Sequence, residues 1–150
     1  MKTYSLSFTI SETELAYAVF RSQKLAFWEA HAFLSGIDRA IQTAVGHVAR
    51  CVERYQPKAV VLESLPENGR ASRVALQVRN SLRRLAVPIF EVSEQELLRS
   101  FALPTLNNRQ DLRNVLVSIF PHLQSSRFMH SCLDAAALGL HFETNRLLSD

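Results

Sequence analysis

The chain has 150 residues, 47% hydrophobic and 21% charged, and a net charge of +3. That length predicts one domain with a core of its own. The charge permits a polyanionic partner without requiring one. No apolar run reaches membrane-spanning length, and "MKTYSLSFTI" lacks the uninterrupted core of a signal peptide, so no membrane partner and a cytoplasmic location are expected. The cysteines, Cys51 and Cys132, lack metal-ligand spacing and read as buried thiols in a reducing compartment. Four glycines leave no room for a Gly-rich phosphate loop, and no nucleotide cofactor is expected.

Residues 4–10, "YSLSFTI", alternate polar and apolar as a half-buried strand does. "SETE" is a turn, "LAYAVF" a second strand and "KLAFWEAHAF" (24–33) a third, so close together that they predict an antiparallel meander. The period then changes. From 37 to 55, Ile37, Ile41, Ala44, Val45, Val48, Val52 and Tyr55 fall on one helical face. "KAVVLES" (58–64) is a short apolar run typical of a central strand buried on both faces.

Residues 69–85 predict a second amphipathic helix. Val74, Ala75, Val78, Leu82 and Leu85 face in; Arg70, Arg73, Arg79, Arg83 and Arg84 face out. "VPIFEV" is a fifth strand, and Ser93–Glu96 has capping-box spacing at the head of a short helix reaching about Phe101. After the loop "PTLNN", residues 109–120 predict a helix with Leu112, Val115, Leu116, Ile119 and Phe120 inward, stopped by Pro121. The last helix is expected over about 131–147, with Ser131–Asp134 again spaced as a capping box. Three strands, helix, strand, helix, strand and then helices predict an α/β fold. Its mixed five-stranded sheet has parallel later strands joined by crossovers and is flanked by helices.

Two carboxylates stand out. Glu63 follows Val60, Val61 and Leu62 at the carboxyl end of the predicted central strand, where α/β sheets collect ligands. A carboxylate buried there needs a cation or a metal; the alternative is a solvated side chain in the loop before Pro66. Asp134 stands alone in "HSCLDAAALGLHF", where it serves either as part of a helix cap or as a second acid beside Glu63. Two carboxylates converging from distant parts of a chain suit Mg²⁺, which takes one or two protein carboxylates and keeps water or phosphate for the rest. Paired ions of that kind clamp the attacking and leaving oxygens in phosphodiester hydrolysis.

With those residues in view, the chain resembles the ribonuclease H-like fold and, within it, the RuvC-type Holliday-junction resolvases. "LAYAVF" is similar to that family's second strand and "VVLES" to the strand bearing its catalytic Glu. "RVALQVRNSL" resembles its second helix, "SEQELLRSF" the turn and helix after strand five, "NNRQDLRNVLVSIF" the basic segment and helix that follow, and "LDAAALGL" its closing helix. The similarity covers nearly the whole chain in element order and implies a single RuvC-like domain over residues 1–150.

The resemblance carries catalytic, metal-ligating roles onto Glu63 and Asp134. In strand one, where the family has an Asp, this chain has Thr9, which cannot supply the charge. Glu12 and Glu14 lie in the adjacent turn, and Glu12 is the expected third metal ligand. Where the family often has an acid one turn before its last Asp, Ser131 stands here with His130 beside it, a candidate ligand or proton shuttle. Arg70, Arg73 and Arg79, with Arg109 in the place of a basic backbone contact, are the implied nucleic-acid-binding residues. Trp28 is expected to pack in the core or over the sheet rather than to stack on a base.

The function implied is a Mg²⁺- or Mn²⁺-dependent endonuclease on branched or structured DNA such as Holliday junctions. It would serve DNA recombination and repair as a homodimer. The alternative is a catalytically degenerate RuvC-like domain that binds nucleic acid or dimerises. Asp134 is expected both to cap its helix and to face the metal site.

Overall fold

The structure is a computed structural model that describes residues 3–65, 69–101 and 108–149, with side chains to 145. Strands β1 (Tyr4–Ile10), β2 (Glu14–Arg21) and β3 (Lys24–Ala32) form the expected meander, and α1 (Ile37–Tyr55) leads to β4 (Ala59–Glu63). Then come α2 (Arg70–Arg84), β5 (Ile89–Val92), α3 (Glu94–Ser100), α4 (Arg109–Ile119), a 3-10 turn (Pro121–Ser125) and α5 (Met129–Ser149). The sheet order is β3-β2-β1-β4-β5. β1–β2 and β2–β3 are antiparallel; β1–β4 and β4–β5 are parallel. The "PTLNN" loop lies mostly outside the described residues. No helix among the described residues is long and apolar enough to cross a membrane.

The two-residue period of the strands sorts side chains into two cores. Leu6, Phe8, Tyr17, Val19, Val60 and Leu62 pack against Ala44 and Val48 of α1 and Val78 and Leu82 of α2. On the other face Ala16, Ala18, Phe20 and Val61 meet Leu112 and Leu116 of α4 and Leu133, Ala136 and Leu138 of α5.

β1 departs from the expected half-buried strand, because Ser5, Ser7 and Thr9 are buried too. Their hydroxyls bond to α5 instead of water. Ser5 donates to Glu143 (2.6 Å), Ser7 to the Ala135 carbonyl (2.6 Å) and Thr9 to the Ser131 carbonyl (3.0 Å). A polar stripe that would face solvent in an open sheet here fixes a helix to a strand at three points. Small residues let α5 come this close: a Cβ on Gly139 would lie 2.3 Å from the Phe20 ring.

Other expectations shift in detail. Leu85 and Ile119 are each 46% exposed rather than inward, each at the last turn of its helix where the core falls away. Pro121 ends α4 but also opens the 3-10 turn. Ser93 does cap α3, accepting from the Glu96 N–H. Trp28 is half-buried against the α5 core, donates to Ser126 (2.8 Å) and lies 4.6 Å from the His122 ring. Both cysteines are free and buried, and burial pushes each thiol up to about 11, away from nucleophilic use.

Candidate functional site

Alternation along β4 points Val61 and then Glu63 toward the α3–α5 side. Phe8 pairs with Leu62 across the parallel β1–β4 ladder, which brings Thr9 and Glu63 to the same end of neighbouring strands. α5 crosses there, its first turns tied to β1 through Thr9 and Ser7. Glu63 and Asp134, distant in sequence, are thereby brought to one place.

Two arginines of α4 meet them. Asn108 caps α4, accepting from the Asp111 N–H at 2.9 Å, so Arg109 is the first residue of the helix and Arg113 sits one turn on along the same face. Arg109 Nη2 donates to Glu63 Oε1, while its Nη1 lies 3.5 Å from Asp134 Oδ2 and its Nε 3.6 Å from Glu94 Oε1. Arg113 holds Asp134 through both of its oxygens, Nε to Oδ1 at 2.9 Å and Nη2 to Oδ2 at 2.8 Å. This is the fork geometry that makes arginine–carboxylate pairs specific. Glu63 and Asp134 keep only 16% and 13% of their side-chain surface exposed. Burial first, with the nearby Asp134 and Glu94 charges, pushes the Glu63 carboxyl above its ordinary range against the downward pull of the Arg109 hydrogen bond and charge. Burial alone would lower Arg109, but Glu63, with Asp134 and Glu94 beyond it, raises it.

The remaining acids are differently placed. Glu14, at the start of β2, is buried, accepts from Ser131 Oγ (2.7 Å) and also takes the Thr13 hydroxyl. The expected Ser131–Asp134 capping box is not formed. α5 begins at Met129, which puts Ser131 inside the helix, and the Asp134 carboxylate turns to Arg113 rather than back to a cap. Glu12 is exposed, and its Oε1 lies 3.4 Å from where a Cβ on Gly69 would be, beside the start of α2. His130 is exposed and shares no hydrogen bond or ion pair with Glu63 or Asp134 among the described residues. Arg109 thus bridges Glu63 and Asp134, and among the described residues no hydrogen bond or ion pair joins Glu12 or His130 to either.

The arginines expected on nucleic acid also divide. Arg70 donates to the carbonyls of Leu34 (3.3 Å) and Gly36 (3.4 Å), and Arg79 pairs with Glu91 at 2.6 Å. Arg109 is turned into the acid cluster, and Arg73 is exposed on α2 with Arg83 and Arg84. Sequence reasoning missed Arg113 and Glu94 altogether and gave Arg109 an outward role. The available signal was "RQDLR": an i, i+4 arginine pair at the head of a helix is one face, and a face needs a partner.

As it stands this donor set does not fit a divalent cation. Thr9 brings no charge, Glu14 is committed to Ser131 and Thr13, and both convergent carboxylates already carry guanidinium partners. Among the described residues no group of three or more His, Cys, Asp or Glu is arranged to hold a metal ion. A dication added between Glu63 and Asp134 would also meet the permanent charge of Arg109.

No protein-family model and no curated protein matches this sequence. Solved structures do. RuvC of Thermus thermophilus, in complex with a Holliday junction substrate, superposes with a TM-score of 0.75 at 15% identity, covering 97% of this chain and 96% of that one. The fowlpox virus resolvase, in complex with Holliday junction DNA, gives 0.67 at 17% identity, over 97% and 99% of the two chains. The yeast mitochondrial Holliday junction resolvase gives 0.63 at 11%, over 98% and 82%. The expected RuvC-type, ribonuclease H-like fold is the fold of this chain.

Proposed function

We propose that this chain is a RuvC-fold domain that binds branched DNA without cutting it. One observation carries the reading: Arg109 and Arg113 occupy the coordination of Glu63 and Asp134, while the strand-one position facing them is Thr9. Water activation for phosphodiester hydrolysis needs a cation with open positions, whereas a guanidinium offers only donors and cannot lower the pKa of a bound water by coordination. The DNA half of the reading is supported by two neighbours of the same fold, which are structures in complex with Holliday junctions. The exposed Arg73, Arg83 and Arg84 and the net positive charge support it too. Such contacts weaken steeply with salt and carry little sequence choice. A homodimer belongs to the same reading, since Leu76, 45% exposed among the arginines of α2, gives a second copy an apolar residue to cover.

The second reading is a Mg²⁺- or Mn²⁺-dependent endonuclease. The convergence of Glu63 and Asp134 on one guanidinium favours it, because two acids from distant segments meet there.

The test is a labelled four-way junction incubated with protein in Mg²⁺ and then in Mn²⁺, read for both mobility shift and nicking. The proposal expects a salt-sensitive shift stronger than on linear duplex, weakened by Arg73→Ala with Arg83→Ala, and no nicking in either metal. Nicking by the wild type that is lost in Glu63→Gln establishes the endonuclease instead.

A further inference from the structure

β5 closes one side of the sheet, and among the described residues β4 is its one neighbour. The Val60 N–H donates to the Pro88 carbonyl and the Ser64 N–H to the Val92 carbonyl, both at 2.9 Å. Alternation therefore turns the backbone of Ile89 and Glu91 to the open side, where their N–H and C=O groups meet no backbone partner among the described residues. Edge strands are commonly guarded by a bulge or by charge. β5 has neither guard: it pairs with β4 in unbroken register, and its one charge, Glu91, is neutralised by Arg79 at 2.6 Å. The opposite edge, β3, does carry a register shift against β2, between Val19 and Phe20.

A groove runs along each face of this edge. On the α5 side it has a volume of about 610 Å³ and is lined by Lys58, Phe90, Val92, His141 and Phe142. Phe90, exposed in mid-strand, lies 5.1 Å from the Phe142 ring. On the α2 side the groove holds about 450 Å³ between Arg79, Arg83, Val87, Ile89 and Glu91. Glu91 is spent on Arg79, while Arg83 is exposed and has no ion pair among the described residues. We propose that the β5 edge binds an extended segment of a partner protein in which apolar or aromatic residues alternate with acidic ones. The segment's main chain pairs with Ile89 and Glu91, and its alternate side chains enter the two grooves, apolar ones against Phe90 and Phe142 and acidic ones toward Arg83. Unpaired amide and carbonyl groups at strand spacing select a polypeptide, because a nucleic-acid strand has no such ladder to offer. A second copy of this chain would bring a Glu91 already committed to its own Arg79, so charge favours a different, acidic partner. Edge binding of this kind is independent of whether the chain binds or cuts DNA.

The probe is a fluorescein-labelled peptide of about eight residues in which Asp alternates with Leu or Phe, titrated with the intact chain and read by anisotropy. Saturable binding is expected, weakened about tenfold when the same residues are arranged as an acidic block and an apolar block. Glu91→Pro deletes the outward N–H at a position where an edge strand tolerates proline, and should weaken binding about tenfold. Glu91→Ala keeps that N–H and frees Arg79, so it should bind at least as well as the wild type. Phe90→Ala should cost about tenfold through the lost aromatic wall. Amide hydrogen exchange at Ile89 and Glu91 should be fast in the free chain and slowed by the peptide. Absence of saturable binding, equal binding of the block peptide, or equal binding by Glu91→Pro and Glu91→Ala overturns the proposal. Amides already protected in the free chain overturn it too: protection at every concentration means that the chain covers its own edge, and protection that grows with concentration means that a second copy does. If Glu91→Pro does not fold by circular dichroism, Phe90→Ala decides, and undiminished peptide binding by that variant is fatal.

Discussion

Helix α5 carries a carboxylate to each end of β1, Glu143 buried and Asp134 largely so, and the two are held in different ways. Asp134 and Glu143 lie nine residues apart, about 14 Å along a helix. Glu143 accepts a hydrogen bond from Ser5 at 2.6 Å and has the Lys58 ammonium 3.9 Å away. Asp134 takes a complete guanidinium fork from Arg113 and shares a second guanidinium with Glu63. A lone buried acid is settled by one hydroxyl and an offset charge. Two acids driven to one point by a strand end and a helix need two full counter-charges, because each raises the cost of ionising the other. Through Arg109 and Arg113, Glu63 and Asp134 tie β4 and α5 to α4.

The largest test of this contrast is Arg109→Met. It leaves the largely buried Glu63 with no partner among the described residues and Asp134 with one, and should cost about 3 kcal/mol in urea unfolding. Glu63→Leu/Arg109→Leu should regain most of that loss, since an apolar pair avoids the uncompensated charge. Next comes Gly139→Ala on the helix that joins the two ends. The added methyl has to push the Phe20 ring aside, and about 2 kcal/mol is expected from overpacking. At the other end, Glu143→Gln keeps the acceptor for Ser5 and should cost about 1 kcal/mol or less. A Glu143→Gln loss equal to that of Arg109→Met would erase the distinction between the two ends.

The smallest effect is a pH dependence. Burial holds the Glu63 carboxyl above its ordinary value of 4.5, so the folded state binds that proton more tightly than the unfolded chain. The wild type should therefore lose stability relative to Glu63→Gln as pH rises from 4.5 through the raised value, and no difference from this source should remain below 4.5. Paired urea titrations across that range check the sign. A difference that moves in favour of the wild type on raising the pH would mean that Arg109 outweighs burial.

The strand and helix order was legible in the sequence because alternation and helical spacing are local. Glu63 and Asp134 also stand out in the sequence, as an acid ending an apolar strand and an acid in an apolar helix, but their arginine partners do not. What was not legible depends on tertiary contacts. Ser5, Ser7 and Thr9 look like a solvent face until α5 is laid on them. The Ser131–Asp134 spacing is that of a cap, but the helix starts two residues earlier, and position inside the helix decides what Ser131 and Asp134 bond. Arg109 reads as a DNA contact in a basic segment, and only the approach of α4 to the end of β4 turns it inward. Nor does a one-dimensional pattern show that Glu12 points toward α2 while Glu14, two residues on, is buried against Ser131.

The central claim is that guanidiniums, and not a metal ion, stand between Glu63 and Asp134. The most direct measurement is an anomalous difference map from crystals of the wild-type chain grown in excess Mn²⁺. The account predicts no anomalous peak between the two carboxylates and the Arg109 side chain in contact with both. A strong peak there, with Arg109 swung away, would contradict it.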